Sequence, residues 1–153
     1  MANKTVIDGI AGLLALVGKD LGKSDWRTMK FEDIVRFADA TGDHQWIHTD
    51  VERAKKGPFG GPIAHGYFTL SIIPVLLRDV ISVEGMRMGI NYGLNKLRFP
   101  APVPIGSKIR ANVTCASVEE VSGGLQGTFD VTVEVDGQDK PGCVAQVIYR
   151  YYN

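Results

Sequence analysis

The sequence predicts an α+β domain in which an antiparallel β-sheet wraps around one long central α-helix. Residues 64–80 (AHGYFTLSIIPVLLRDV) form a long stretch with apolar side chains on most sides, as expected of a buried helix. From Met86 onward the pattern takes a period of two, and glycine-containing turns separate the alternating segments. A buried helix followed by several long antiparallel strands fits a sheet curled around that helix better than it fits alternating strands and helices.

The composition indicates one folded unit, residues 1–153, and argues against several kinds of partner. The 153 residues are 44% hydrophobic, which is enough to build the core of a single domain. Seventeen basic and seventeen acidic residues cancel, so no net charge attracts nucleic acid or an anionic membrane. Cys115 and Cys143 lie far apart without partners at metal-ligand spacing, which predicts buried, reduced thiols in a cytoplasmic protein and no metal site.

The first element is predicted to be an amphipathic helix over about residues 4–18, ahead of a core over about residues 20–152. Its apolar side chains recur at helical spacing: Val6, Ile7, Ile10, Leu13, Leu14 and Val17. Residues 10–17 could pass for the apolar region of a secretory signal, yet only Lys4 precedes them and Asp8 interrupts their approach. Because eight apolar residues are too few to cross a bilayer, we expect a packing helix.

A second helix is predicted from an apolar face that consists of Phe31, Ile34, Val35 and Ala38. Gly42 is placed to adopt the left-handed conformation that closes many helices, so the helix should end at Thr41 or Gly42. A loop, residues 43–48, is expected to follow it.

A third, short helix is predicted from Thr49 and Glu52, which have the spacing of a capping box. It should begin near Asp50 and end by Gly57. Residues 57–62 (GPFGGP) cannot hold regular structure, so they form the connection that leads into the central helix.

The strands are clearest over residues 125–135, where apolar and polar residues alternate and predict a strand with one face in water. Residues 109–115 alternate in the same way. Ser122-Gly123-Gly124 and Asp136-Gly137 have the composition of hairpin turns. Consecutive hairpins predict an antiparallel sheet.

Asp43 and His48 are the candidate catalytic residues, because they stand five positions apart just after a predicted helix end. A histidine titrates near neutral pH, and an aspartate can orient it or share a water molecule with it, as general acid–base catalysis requires. Spacing alone is a weak signal. For an arbitrary pair of this kind, an aspartate that caps a turn and an ordinary packed histidine are the commoner explanation.

The segment Ile63-Ala64-His65-Gly66 adds a second candidate, at the start of the central helix. A backbone N–H at a helix N-terminus is well suited to hold a thioester oxygen that gains enolate charge, and Gly66 allows the close approach. Tight helix packing is the alternative role for Gly66. For His65 we expect a structural hydrogen bond rather than a catalytic role.

Three segments together carry a resemblance to a known family. FADATGDHQWIHTDVERA, GPIAHGYFTLSIIPVLL and NYGLNKLRFPAPVPIGSKIRA, in this order and spacing, resemble the MaoC-like dehydratase family. Within it they are similar to the R-specific enoyl-CoA hydratases, above all small single-domain actinobacterial members. The resemblance covers about residues 20–150, and three ordered motifs are far more specific than the Asp–His spacing alone.

The resemblance implies a hot-dog fold, in which an antiparallel sheet wraps a long central helix. It implies a homodimer whose sheets join side by side, with the active site at the subunit interface. The implied activity is that of a hydro-lyase, which adds water syn to a trans-2-enoyl-CoA and gives an (R)-3-hydroxyacyl-CoA. No separate cofactor is implied, because CoA is part of the substrate.

Carried over by position, the family's catalytic aspartate and histidine fall on Asp43 and His48, and its oxyanion-hole glycine falls on Gly66. Two positions depart from the family. Gln45-Trp46 stands where many members have Asn-Pro, which alters the pocket wall beside the pair. Pro74 stands where some members place a serine, so an auxiliary hydroxyl cannot be carried over there. Thr69 and Ser71 on the same predicted helix are the alternatives, and the sequence assigns the role to neither.

Asn95, Lys96 and Arg98, in the strand that enters PAPVPIGS, are weaker candidates for contacts with CoA. A solvated strand edge or a dimer contact is the more common role for residues of this kind.

Two other functions fit the same scaffold. A hot-dog thioesterase would use an acidic residue to direct water at the carbonyl carbon instead of the alkene. A non-catalytic acyl-binding or nodulation-type accessory protein would keep the fold without turnover. The intact Asp43 and His48 favour the hydratase.

Overall fold

A six-stranded antiparallel sheet and one long helix form the centre of the computed structural model, which describes residues 3–153. The helices are α1 (Gly9–Leu14), α2 (Phe31–Thr41), α3 (Trp46–Thr49), α4 (Val51–Lys55) and α5 (Gly66–Val80). The strands are β1 (Thr5–Asp8), β2 (Asp20–Lys23), β3 (Arg27–Thr28), β4 (Ile81–Glu84), β5 (Met88–Arg98), β6 (Lys108–Val121), β7 (Gly124–Val135) and β8 (Cys143–Tyr152). Among residues 3–153, no helix has the length and apolar character needed to cross a membrane.

The strand order in the large sheet is β2-β6-β7-β8-β5, with β3 paired to β6 beside β2, and all of its pairings are antiparallel. The β6–β7 hairpin turns at Ser122 and Gly123, as predicted, and Gly123 has a φ of 80°. Asp136-Gly137 does not close a tight hairpin. It opens a longer connection, because the β7–β8 pairing starts with Val133 opposite Cys143.

The core lies between α5 and the inner face of the large sheet, which confirms the predicted wrapping of a sheet around one helix. Helix α5 buries Thr69, Ile72, Ile73, Leu76, Leu77 and Val80. The alternating residues of β6 and β7 meet it from the sheet, including Ile109, Val113, Phe129 and Val133, each fully buried. Burial of a large aliphatic or aromatic side chain contributes about 1.5–3 kcal/mol, so this layer holds the start of α5 firmly in place.

The N-terminal helix is shorter than the predicted span of residues 4–18. Residues Thr5–Asp8 form β1, which pairs in parallel with β4, and only Gly9–Leu14 are helical. Thr5, Val6 and Ile7 have side chains that favour strands. Gly9 then has a φ of 58°, which is incompatible with a continuous helix. Ile7 is buried in strand form while Val6 points to solvent, so the alternation has the period of a strand.

The predicted loop over residues 43–48 is partly helical, because α3 (Trp46–Thr49) contains His48. The short helix that follows was predicted in the right place, but its cap is Asp50 rather than Thr49. The carboxylate of Asp50 accepts a hydrogen bond from the Arg53 N–H at 3.0 Å. The Thr49 hydroxyl donates backward to the His44 carbonyl at 3.1 Å, which closes α3.

Strand β5 differs from the other long strands because almost all of its residues are exposed. It pairs with β8 on one side, through a register with two irregularities, and has no neighbour in the described chain on the other side. Its exposed residues include four large apolar ones, Met88, Ile90, Tyr92 and Leu94. A free edge with apolar side chains is the kind of surface that another strand or chain covers.

Candidate active site

The side chains of Asp43, His48 and His65 meet at the start of α5. One carboxylate oxygen and one ring nitrogen from each histidine all lie within 4.8 Å of one another. His48 is 7% exposed and His65 is 3% exposed, whereas Asp43 faces solvent. A single water molecule can bridge polar groups at such separations, so the predicted Asp43–His48 pair is brought together in one place.

The backbone around the pair follows from local sequence signals. Helix α2 ends at Thr41, and Gly42 takes a φ of 82° while its N–H donates to the Ala38 carbonyl at 2.8 Å. The helix therefore ends where the sequence predicted, and the turn at Gly42 directs the chain away from the axis of α2 at Asp43. The Asp43 carboxylate then accepts a hydrogen bond from the Gln45 N–H at 3.3 Å, an Asx-type turn that orients it.

His48 is fixed by the segment that precedes α5. The Ile63 N–H donates to the Ile47 carbonyl at 3.0 Å, and the Ile63 carbonyl lies 2.7 Å from His48 Nδ1. A carbonyl oxygen can only accept, so Nδ1 carries the proton and Nε2 presents a lone pair. Burial lowers the pKa of His48 below its ordinary value, with His65 adding to this effect and the hydrogen bond to Ile63 opposing it. His48 is therefore a neutral base at neutral pH.

His65 makes the structural hydrogen bond that the sequence predicted. Its Nε2 lies 2.9 Å from the backbone carbonyl of Asp43, to which it donates. Its ring also stacks on the His48 ring, with centroids 3.8 Å apart and planes 24° apart, and packs against Phe37 at 4.9 Å. His65 thus contacts both members of the predicted pair, a link that spacing along the chain did not reveal.

Gly66 is the first residue of α5, so its N–H belongs to the four at a helix start that have no partner within the helix. A side chain at this position would have little room. A Cβ built on Gly66 would lie 2.8 Å from the Phe99 ring. The glycine therefore allows the Phe99 ring to pack against the start of α5, which is the alternative role considered for it, and its N–H lies at the positive end of the α5 dipole.

Two cavities open beside these groups, and His48, Gly66 and Phe99 line both of them. The larger, about 320 Å³, is mostly apolar and includes Thr69. The smaller, about 240 Å³, includes Asp43 and His65. A polar pair and a backbone donor at the mouth of an apolar cavity are suited to acid–base chemistry on a substrate with an apolar chain.

Comparison with known proteins identifies the family of this chain. The profile of the MaoC-like domain matches residues 13–137. The chain belongs to the MaoC-like dehydratase family. This confirms both the predicted family and the prediction that the protein is an enzyme.

Three relatives of this MaoC-like dehydratase show how far the similarity extends. A 3-hydroxyacyl-thioester dehydratase of Mycobacterium tuberculosis is 52% identical over 145 residues, which cover 94% of this chain and 96% of that protein. Nodulation protein N of Rhizobium leguminosarum is 39% identical over 142 residues, which cover 91% of this chain and 88% of that protein. The solved (R)-hydratase of A. caviae superposes with a TM-score of 0.70 at 22% identity, over 87% of this chain and 94% of that chain. The last match confirms the hot-dog fold.

In this MaoC-like dehydratase, the weaker candidates Asn95, Lys96 and Arg98 do not line either cavity. Lys96 lies opposite Gln146, whose neighbours on β8 face the core, so its side chain points to the outer face of the sheet. Asn95 donates to the Gln146 side chain at 2.8 Å, and Gln146 donates in turn to Asp130. Their predicted contacts with CoA stay a prediction.

The departure at Gln45-Trp46 has a local explanation. The Arg53 guanidinium lies over the Trp46 ring, 4.4 Å from its centroid, and a Cβ on Gly57 would lie 2.9 Å from that ring. Trp46 thus fills the space between α3 and the end of α4. Neither Gln45 nor Trp46 lines either cavity.

The sequence did not single out Phe99, and it left Thr69 unassigned. Phe99 lines both cavities, and only its place within the third motif could have suggested a role. The Thr69 hydroxyl is buried on α5 and has no hydrogen-bond partner in the described chain.

Asp43, His48 and His65 are also close enough together to be considered as metal ligands. The two imidazole rings are stacked, with centroids 3.8 Å apart and planes tilted by 24°, whereas a ligating nitrogen holds its ion in the plane of its own ring at about 2.0–2.1 Å. One ion cannot satisfy both rings in this arrangement. The geometry suits proton transfer better than metal binding.

Proposed function

We propose that this protein is an (R)-specific enoyl-CoA hydratase, which interconverts a trans-2-enoyl-CoA and the (R)-3-hydroxyacyl-CoA. The observation that carries the proposal is the pairing of the Asp43 carboxylate with the neutral, singly oriented imidazole of His48 beside the Gly66 N–H. Hydration needs a base for water, a proton for C2 and a donor for the thioester oxygen, and these three groups can supply them.

The proposed reaction proceeds on one face of the substrate. Asp43 and His48 hold one water molecule between them, and the pair removes a proton from it as its oxygen forms a bond to C3. The electrons of the double bond move onto the thioester, whose oxygen accepts a hydrogen bond from the Gly66 N–H. The pair then returns a proton to C2 on the same face. Dehydration is the same path reversed, and no further cofactor is needed because the thioester itself acidifies C2.

The relatives support a thioester as the substrate. The Mycobacterium tuberculosis relative carries the name of a 3-hydroxyacyl-thioester dehydratase, and its match extends over nearly the whole of both chains. The nodulation protein is a more distant match over a similar length. The apolar lining of the larger cavity, which includes Phe59, Ile63 and Val103, fits an acyl chain.

The test is an assay with crotonyl-CoA and longer enoyl-CoAs, in which loss of the conjugated thioester absorbance reports hydration. We expect hydration, and chiral analysis of the product should find the (R)-3-hydroxyacyl-CoA. The Asp43→Asn variant is the matched control. Release of free CoA thiol from a saturated acyl-CoA would instead favour the thioesterase, and acyl-CoA binding without turnover would favour the accessory protein.

We also propose that the protein acts as a homodimer joined through β5. The support is the free edge of β5, its exposed apolar residues, and a groove of about 310 Å³ between β5 and α5 that Leu94 lines. Pairing of two β5 edges would extend the sheet across the two subunits and cover these residues.

A further inference from the structure

We infer that His65 is a positioning residue for the catalytic pair, holding Asp43 through its backbone and His48 through ring stacking. The inference deepens the proposed function and rests on it for its kinetic test. His65 directly precedes Gly66, so one residue connects all three groups of the proposed mechanism.

The first contact fixes Asp43. The Asp43 side chain is exposed just beyond the end of α2. Its other hydrogen bonds are local: its carboxylate accepts from the Gln45 N–H at 3.3 Å, and its own N–H donates to the Thr41 hydroxyl at 3.3 Å. The bond from His65 Nε2 to the Asp43 carbonyl joins residues 22 positions apart, from α5 to the end of α2. A small displacement of this carbonyl moves the carboxylate relative to the bound water, and displacements near 1 Å can cost about 10²-fold in rate.

The second contact fixes His48. The two rings stack at 3.8 Å, and Phe37 closes the other side of His65 at 4.9 Å, itself packed on Phe68 at 5.2 Å. His65 is therefore held between α2 and His48 and cannot tilt freely. With Nδ1 bound to the Ile63 carbonyl and one face covered by His65, the His48 ring keeps Nε2 directed at the site.

The hydrogen bonds give the two histidines opposite tautomers. His48 is protonated on Nδ1, because that nitrogen meets the Ile63 carbonyl, and His65 is protonated on Nε2, because that nitrogen meets the Asp43 carbonyl. His65 Nδ1 is buried without a partner in the described chain. A proton there would be a buried donor with nothing to accept it, so the hydrogen-bond geometry favours the Nε2–H tautomer, in which His65 donates to Asp43.

The kinetic test separates the hydrogen bond from the stacking. His65→Gln keeps an amide donor at about the reach of Nε2, whereas His65→Phe keeps a ring and loses the donor. We expect kcat on crotonyl-CoA to fall roughly 10- to 100-fold in His65→Phe and less than about tenfold in His65→Gln, with little change in KM. His44→Gln is the matched control and should behave as wild type, because His44 pairs with Asp39 at the surface.

A double-mutant cycle shows whether His65 acts through Asp43. In the Asp43→Asn background, His65→Phe should cost no more than about threefold, because there is no carboxylate left to position. An equal loss in both backgrounds, or near wild-type turnover of a folded His65→Phe protein, would overturn the inference. Circular dichroism establishes that the variants are folded.

A second measurement does not depend on turnover. The chain has three histidines, so long-range ¹H–¹⁵N spectra of the wild-type protein can assign each ring, with His44→Gln identifying the exposed one. We expect the Nδ1–H tautomer for His48 and the Nε2–H tautomer for His65 at neutral pH. The Nδ1–H tautomer for His65 would overturn the inference even if the enzyme hydrates enoyl-CoA. An inactive wild-type protein with the expected tautomers would refute the proposed function and leave the His65 geometry standing.

Discussion

The start of α5 and the strand β5 differ in how far one chain by itself buries their side chains and pairs their hydrogen-bonding groups. At the start of α5, His48 and His65 are buried, stacked and hydrogen-bonded within the same chain. Strand β5 is exposed along almost its whole length and presents an unpaired edge. The proton-transfer groups are therefore preorganised within one chain, whereas β5 has an exposed apolar edge that the proposed dimer would cover.

The largest expected effect tests the preorganised region. Asp43→Asn and His48→Ala should each lower kcat on crotonyl-CoA by a factor of roughly 10²–10⁴, because either change leaves the water without its acid–base relay. Substrate binding should change much less. The double variant should be scarcely worse than the poorer single variant, because the two residues serve one proton-transfer step. Near wild-type turnover of a folded Asp43→Asn protein would end the hypothesis, and additive losses would mean independent roles.

The next effect concerns the donor beside the pair. Gly66→Ala should cost roughly 2–4 kcal/mol of transition-state stabilisation if the added methyl group crowds the thioester oxygen. The methyl group would also meet the Phe99 ring, so the loss has two possible sources. We expect the Gly66→Ala/Phe99→Ala double variant to stay as slow as Gly66→Ala. Recovery to the rate of Phe99→Ala alone would assign the loss to the ring instead.

The next prediction tests the exposed strand β5, by placing a charge on its free edge. Leu94 on β5 and Val144 on β8 are both 41% exposed, but only Leu94 lies on the free strand. Leu94→Lys should raise the dimer dissociation constant by about tenfold or more, because a buried charge at an interface costs well over 1.4 kcal/mol. Val144→Lys should leave it unchanged. Light scattering measures both, and a wild-type monomer with full activity would refute the dimer.

The smallest expected effect is a pH dependence that reports the burial of His48. The lowered pKa of His48 means that the free base persists below pH 6.5, so the acid limb of kcat/KM should lie below that value. The free energy of unfolding should also decrease as the pH falls. The unfolded chain binds this proton more readily, so the contribution of His48 is present above pH 6.5 and decreases as the pH falls towards its folded pKa.

A pH profile of His44→Gln provides the control for this prediction. The pKa of His44 is raised, chiefly by its side-chain bond to Asp39, so its titration should lie above that of His48. The variant should leave the acid limb in place. An acid limb above pH 6.5 that does not move in His44→Gln would contradict a buried, neutral His48.

Several elements could be predicted from the sequence because their signals are local. The end of α2 follows from Gly42, and the alternation in β7 follows from its side chains. The long apolar stretch over residues 64–80 predicted α5 (Gly66–Val80) to its last residue and to within two residues of its start. The N-terminal prediction was wrong because the apolar residues there fit a helix, whereas Ile7 is buried by pairing of β1 with a strand 76 residues later in the chain. The local sequence around β1 gives no signal for pairing with a strand so far along the chain.

For the candidate site, the sequence by itself determined Asp43, His48 and Gly66, because a short motif fixes residue types and spacing. Only the tertiary structure decided which polar atoms meet. The bond from Ile63 to His48 sets the tautomer of the base, and the bond from His65 to Asp43 ties α5 to α2. Such pairings depend on how α5 docks into the sheet, since side-chain hydrogen bonds between distant residues form only when the core has brought their backbones within reach.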